Sequence, residues 1–242
     1  MAWTQRDIPI PYYICDCTDH LSLQFLGRIF QDAADAHTAH HHLGYADLAA
    51  QGLAWVISRV YYKVHEMPAA MSHVEVTTWS RRADRLCAMR DTEMRDEAGR
   101  LLVASTSMWV IMDMQRRTVT RMLDGIVRFD HEARRATDRD ALHKMRATSP
   151  QDGTVAAHLK ATHANIDHNL HVNNTDYIRW VVDAIREDPS EGRPIDTFEI
   201  DYFHETRQGD AVTLYQHEEG GRRFFQVANP LGTAALAAVT FK

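Results

Sequence analysis

Within residues 165–182, NIDHNLHVNNTDYIRWVV, an acid, an amide and an imidazole stand at every second position: Asp167, Asn169 and His171. In an extended segment side chains alternate between faces, so these three would share one face while His168, Leu170 and Val172 take the other. An imidazole can move a proton near neutral pH, a carboxylate can orient it, and a carboxamide can donate to an oxygen that gains charge. A helix follows at once: Asn173 or Asn174 supplies its N-cap and Asp176 falls in its first turn. The unused amides and positive dipole end of such a helix suit a carbonyl oxygen or a developing oxyanion. Each residue alone has a plainer reading, because acids and amides before a helix commonly serve as turn and cap residues.

The elements that position these residues form a repeat. After the N-cap Ser22, the residues Leu26, Ile29, Phe30, Ala33, Ala34 and His37 make a helical stripe, predicting a helix to about His41. Segments 53–66, 72–80, 84–96 and 100–113 are rich in Val, Ile, Thr, Tyr and Trp and predict strands, with DEAGR (96–100) as a hairpin turn. From Asp152 the order recurs: a strand over 154–166, a helix from about Asn174 to Glu187, and strands near 195–206, 210–218, 222–229 and 233–241. Residues match as well, since Asp16, His20 and Arg28 precede Asp167, His171 and Arg179 by the same 151 positions. YKVHE (62–66) likewise matches DYFHE (201–205), and AGRLLVAS (98–105) matches LGTAALAA (231–238). Two copies of one α+β unit account for this pattern, each an antiparallel sheet wrapped around a largely apolar central helix. That is a tandem (double) hotdog, with the units over 1–122 and 152–242 and a charged helical linker over 123–151 between them. Paired units would join their sheets and so remove two exposed edges.

Composition bounds the rest. With 242 residues, 45% hydrophobic and 25% charged, the chain can bury a sizeable core. No apolar run reaches the roughly 20 residues that span a bilayer, and the start MAWTQRDIPIPYYI lacks the layout of a signal or transit peptide. A cytoplasmic protein without membrane insertion is expected. The net charge of −6 gives no overall pull toward nucleic acid. Residues 114–150 nevertheless hold nine basic groups against five acidic ones. Cys15, Cys17 and Cys87 are too few and too unevenly spaced for a disulfide framework or a four-cysteine zinc site, and are expected to be buried thiols. His37, His40, His41 and His42 place two imidazoles on one helix face, but no third ligand or H-E-x-x-H motif accompanies them, so no metal is expected.

The stretch DHNLHVNNTDYIRWV resembles the D-x-N-x-H-V-N-N-x-x-Y-I-x-W signature of the acyl-[acyl carrier protein] thioesterases, which hydrolyse the acyl thioester at the end of fatty-acid synthesis. LGRIFQDAADAHTAHHHLGY, GLAWVISRVYYKV, VTTW and GRLLVASTSMWVIMD are similar to the N-terminal domain of its bacterial members. The resemblance implies a double hotdog with its active site in the second unit, carried by Asp167, Asn169, His171 and Glu205 of DYFHETRQGD. Plant members often place Cys after that Glu, whereas this chain has Thr206, and its cysteines all lie in the first half, so water or the carboxylate must do the chemistry. By the same resemblance Asn169 and a helix-start amide (Asn173, Asn174) hold the carbonyl oxygen, Asp167 orients His171, and Glu205 acts with His171 as base or attacks directly. The first half keeps Asp16, His20 and the His65–Glu66 pair but has Thr18 for the amide, and is implied to form the acyl tunnel with Trp55 and Val56 along its wall. No cofactor is implied. The implied partner is an acidic acyl carrier protein bearing an acyl-phosphopantetheine, received by Arg81, Arg82, Arg85 and the basic 114–150 segment. Open outer edges would still allow a homodimer. Two alternatives stand beside this reading: a hotdog acyl-CoA thioesterase, and a double hotdog that binds acyl chains without hydrolysing them.

Overall fold

Ser22 begins the first helix as its type predicts, its hydroxyl accepting from Phe25 N at 3.4 Å. The helix, α1 (Leu23–His40), buries Leu23, Leu26, Gly27, Phe30, Ala33, Ala34 and His37, which recur on one face. The computed structural model describes residues 1–146, 153–186 and 192–242. They form two units, Met1–Leu142 and His143–Lys242.

In the first unit, strands β1 (Trp3–Pro9), β2 (Leu53–Val64), β3 (His73–Ala83), β4 (Ala88–Asp96) and β5 (Leu101–Asp113) pair in the order β1-β3-β4-β5-β2. Every pairing is antiparallel, and a short β6 (Thr118–Thr120) pairs with β5. Helix α1 lies against β3 and β1, and α2 (Tyr45–Ala49) against β2. Val76, Met94 and Val103, opposite one another across β3, β4 and β5, are fully buried on one face, and Trp79 is buried on the other, where its Nε1 donates to Arg134 O.

The second unit repeats this layout. Strands β7 (Thr154–Lys160), β8 (Ile195–Tyr202), β9 (Ala211–Glu219), β10 (Arg222–Asn229) and β11 (Gly232–Phe241) pair antiparallel in the order β7-β9-β10-β11-β8. Within it α4 (Asn174–Arg186) buries Tyr177, Ile178, Trp180, Val181, Ala184 and Ile185. Its Tyr177 ring meets Tyr202 of β8 edge-on at 5.8 Å. The correspondence holds position by position. Single 3₁₀ turns at Tyr12–Ile14 and His163–Asn165, bridges Cys15↔Leu21 and Ile166↔Val172, and helix starts at Leu23 and Asn174 all lie 151 residues apart. The spacing between β1 and β7 is the same. The chain is thus an α+β protein of two like units, each with one long helix and an antiparallel sheet.

Several expectations need correction. β1 and β6 had no forecast, and strand β7 stops at Lys160 rather than at 166, because Thr162 and Asn165 hold each other in a capping box that turns the chain. Strand β4 begins at Ala88, since the Asp84 carboxylate accepts from Leu86 N and Cys87 N and makes 84–87 a turn. The last strand residue before Glu205 is Tyr202. Among the described residues of the expected helical linker over 123–151, only α3 (Asp124–Val127) is helical, and residues to Leu142 belong to the first unit. Its N–H groups find partners sideways: Glu132 N donates to Ser80 O at 2.8 Å, Ala136 N to the buried Asp91 carboxylate at 2.7 Å, and Trp79 Nε1 donates to Arg134 O. The rest of that linker, residues 147–151, lies outside the described residues, as does residue 152. Nor are the cysteines buried. Cys17 is exposed because it sits in the tight turn 16–20, and Cys15 and Cys87 are half-buried, their Sγ atoms against Pro11 O and Asp84 Oδ2. Among the described residues, no helix is long and apolar enough to cross a membrane.

Candidate active site

Asp167, Asn169 and His171 are brought together by a tight turn rather than by strand alternation. Leu170 N donates to Asp167 O at 3.0 Å and Asp167 N to His171 O at 2.9 Å, and the Ile166↔Val172 bridge closes the loop. The Asp167 carboxylate accepts the Asn169 N–H at 2.8 Å, the usual way an aspartate fastens a turn. Leu170 takes a left-handed φ of 64° there with its side chain exposed. Two polar residues flanking a left-handed position were legible; the reversal itself was not, because Leu is a poor turn former.

The turn presents His171 to Glu205. His171 Nε2 lies 3.0 Å from Glu205 Oε2, with the side chains 20% and 22% exposed. The other carboxylate oxygen, Oε1, accepts from Arg207 Nη2 at 2.7 Å and Nε at 3.2 Å. Both oxygens of Glu205 are therefore engaged by cationic or titratable donors, which holds the carboxylate in one orientation.

A buried strut supports this pair. Thr206, fully buried, accepts on Oγ1 from Tyr177 OH at 2.8 Å and from Asn229 Nδ2 at 2.9 Å. Asn229 Nδ2 also donates to the Glu205 carbonyl at 2.8 Å, and Val172 N donates to the Thr206 carbonyl at 2.8 Å. The residue after Glu205 thus ties the turn, α4 and β10 together. Burial pushes the Tyr177 phenol up to about 12, so it stays a neutral donor at ordinary pH. Sequence reasoning missed Arg207, Asn229 and Tyr177; only the position of Arg207 two residues after Glu205 hinted at any of them.

At the helix start Asn173 is the capping residue: its Oδ1 accepts Thr175 N at 2.9 Å, and its carbonyl accepts Asp176 N at 2.9 Å. Those two amides are occupied, contrary to the expectation that the first turn leaves its amides free. Asn174 is the first helical residue, and its buried Nδ2 has no hydrogen-bond partner. Asn169, at the tip of the turn, is exposed.

In the first unit the same turn exists without the same pair. Asp16 Oδ1 accepts Thr18 N at 2.8 Å and Asp19 adopts φ 57°, mirroring Asp167 and Leu170. There His20 Nδ1 lies 2.6 Å from Thr18 O, and Glu66 pairs with Arg100 at 2.5 Å. The acid and imidazole go to separate partners.

The first unit holds a cleft between α1 and its sheet, walled by Trp55, Met89, Trp109, Ile126 and Phe129. Trp55 Nε1 donates to Leu43 O at 2.9 Å, which fixes its ring. Val56, on the next position, is not part of this wall, because successive strand residues face opposite ways. The four histidines of α1 and its end serve other contacts. His37 and His41 meet edge-on at 5.3 Å, and His37 Nδ1 lies 3.0 Å from Arg90 Nη1. Burial, with Arg90 and His41 beside it, pushes His37 down to about 3, so it is neutral. Of the arginines expected to receive a partner, Arg81 is buried against Asp91 at 3.6 Å, whereas Arg82 and Arg85 are exposed. In the basic segment Arg128, Arg134, Arg135 and Arg139 pair with acids of that same segment.

Fold and site together define a chain of two repeated α+β units, only one of which keeps an acid–imidazole pair beside a helix start. The chain belongs to the acyl-ACP thioesterase family: residues 2–129 match the model of its N-terminal domain and residues 148–233 that of its C-terminal domain. It is 30% identical to an oleoyl-acyl carrier protein thioesterase of Arabidopsis thaliana over 169 residues, 66% of this chain and 46% of the relative. The chain spans about half the length of the curated plant relatives it matches first. Among solved structures it is similar in fold to an acyl-ACP thioesterase from Bacteroides thetaiotaomicron, with a TM-score of 0.89 and 24% identity over 100% of this chain and 98% of the other. It is also similar to the 12:0-ACP thioesterase from Umbellularia californica, with a TM-score of 0.84 and 20% identity over 100% and 97% of the two chains.

Proposed function

We propose that this protein is a double-hotdog thioesterase that hydrolyses fatty acyl-[acyl carrier protein] to the free fatty acid and the carrier thiol. The observation that carries the reading is the 3.0 Å contact between His171 Nε2 and Glu205 Oε2, which the first unit, with the same turn, does not reproduce. Matching domain models over both halves supports the substrate class.

In the proposed reaction a water placed by the pair attacks the thioester carbonyl carbon and gives one proton to the His171 imidazole, whose charge the Glu205 carboxylate balances. The carbonyl oxygen takes up the negative charge and is held by the Asn169 carboxamide, with the helix start at Asn174 contributing its positive dipole end. Collapse of the tetrahedral intermediate breaks the C–S bond, and the imidazolium of His171 returns the proton to the departing sulfur. Asp167 acts by fastening the turn that aims His171. Direct attack by Glu205 is the weaker route, since Arg207 and His171 occupy both of its oxygens and lower its nucleophilicity. The carrier, an acidic protein, would be met by exposed Arg82 and Arg85 rather than by Arg81.

The test is release of free thiol from acyl-carrier proteins and acyl-CoAs across chain lengths. Glu205→Gln and Asn169→Ala should each lower turnover about 10²-fold or more with unchanged circular dichroism. Near-native hydrolysis by both variants refutes the assignment; preference for acyl-CoA moves the substrate to the CoA class.

A further inference from the structure

The base of the His171 turn carries a buried polar network that the fold itself does not require. Asn165 closes the 3₁₀ turn before the loop, and its carbonyl accepts Asn173 N at 2.8 Å, so residues 166–172 are pinched together at their base. Its side chain is used on both ends: Oδ1 accepts Thr162 N at 2.8 Å and Thr162 Oγ1 at 2.9 Å, while Nδ2 donates to Asp176 Oδ1 at 3.3 Å. Asp176, in the first turn of α4, meets Arg179 on that same oxygen at 2.9 Å. Asn165 and Asp176 are both buried. Burying an amide against a carboxylate is costly, and a well-packed apolar pair commonly serves stability as well or better.

The first unit contains that apolar pair. At the same positions 151 residues earlier stand Pro11, Ile14, Phe25 and Arg28. The backbone there is alike, with Ser22 N donating to Ile14 O at 3.1 Å and the bridge Cys15↔Leu21 closing the loop. Ile14 is buried, and Arg28 lies over the Phe25 ring at 4.9 Å, where Arg179 takes the Asp176 carboxylate. Turn and helix therefore stand without an Asn–Asp pair, which occurs only in the unit whose imidazole meets Glu205. What the pair adds is direction, since hydrogen bonds fix angles that apolar contacts leave loose.

We infer that the Thr162–Asn165–Asp176 network is a positioning device that sets the His171 turn against α4 and so keeps Nε2 within reach of Glu205. It complements Thr206, which supports the Glu205 side of the pair. Its effect on turnover rests on the proposed hydrolysis, whereas its effect on the turn does not, so both are measured in the full chain.

The experiment follows thiol release from acyl-carrier protein, thermal melting, and NMR hydrogen exchange of the Asp167 and Leu170 amides, which donate inside the turn. Asn165→Ile combined with Asp176→Phe copies the first unit. Its Tm should equal or exceed that of the wild type, while the turn amides exchange about tenfold faster and kcat falls about tenfold with KM unchanged. Asn165→Asp alone sets two carboxylates face to face and should loosen the turn and slow turnover likewise. Adding Asp176→Asn to it exchanges donor and acceptor, rebuilds the bond, and should restore both kcat and slow exchange; this rescue does not depend on how the bulkier Phe is accommodated. Exchange is read whether or not thiol is released, so a wild type without hydrolysis refutes the proposed function and not the network. Wild-type exchange and kcat in the first-unit copy overturn the inference. So does a doubly exchanged protein no better than Asn165→Asp alone, or activity that falls only in step with Tm across the variants.

Discussion

Replacing Thr206 with Val tests whether the buried strut holds the Glu205 carboxylate. The two side chains have nearly the same shape, so no cavity opens and the change is confined to hydrogen bonding. Thr206 Oγ1 accepts from Tyr177 OH at 2.8 Å and from Asn229 Nδ2 at 2.9 Å. Asn229 keeps its bond to the Glu205 carbonyl, but Tyr177, 3% exposed, is left with a buried donor that has lost this acceptor. Stranding such a group costs about 1–3 kcal/mol, partly offset by the added methyl surface, so about 2 kcal/mol is expected. For a chain of this size that is a fall in Tm of about 4–8 °C. Glu205 loses part of its support, and kcat should fall several-fold while KM stays put. Thermal melts and steady-state hydrolysis of Thr206→Val, Tyr177→Phe and the double variant supply the assay. Because Tyr177→Phe removes the donor that Thr206→Val strands, the double variant should be more stable than the sum of the two losses allows, by about 1 kcal/mol or more. Strict additivity, or a Thr206→Val protein that melts with the wild type, refutes the strut.

The other perturbations are more local. His37, held at about 3 against 6.5 in the unfolded chain, stays neutral on folding, so its contribution to stability is complete above pH 6.5 and declines as pH falls toward 3. Between pH 7 and pH 5 that loss is about 2 kcal/mol, and denaturant melts of His37→Gln should show a correspondingly flatter pH dependence. Leu170→Asn should stabilise the second unit by about 0.5–1 kcal/mol, since Asn tolerates the left-handed φ that Leu does not; a lower Tm would show that Leu170 has a packing role. Arg207→Ala should reduce kcat about tenfold with little change in KM, by loosening the Glu205 carboxylate, and Arg207→Lys should restore part of it. Charge reversal at Arg82 and Arg85 should raise KM for acyl-carrier substrate and blunt its salt dependence, leaving acyl-CoA turnover unchanged.

Local chemistry and periodicity determined much of this protein. Ser22 and the apolar stripe after it specify α1, and Asn173 specifies the start of α4, because caps and stripes depend on residues only a few positions apart. The repeat was equally legible, and applying its spacing to the strand expected over 154–166 would have placed a strand over 3–15, of which β1 occupies Trp3–Pro9. Tertiary structure alone decided which acid meets which imidazole. His20 and Glu66 look on paper like His171 and Glu205, yet only the second pair forms, since Arg100, just before β5, takes Glu66 at the end of the neighbouring β2. It also decided that 128–142 runs without helix, its N–H groups reaching the Ser80 carbonyl and the buried Asp91, and that Arg90 is buried in an apolar cleft. Such contacts join residues far apart in the chain, where the energy of a pairing depends on burial and on rival partners that local spacing does not encode.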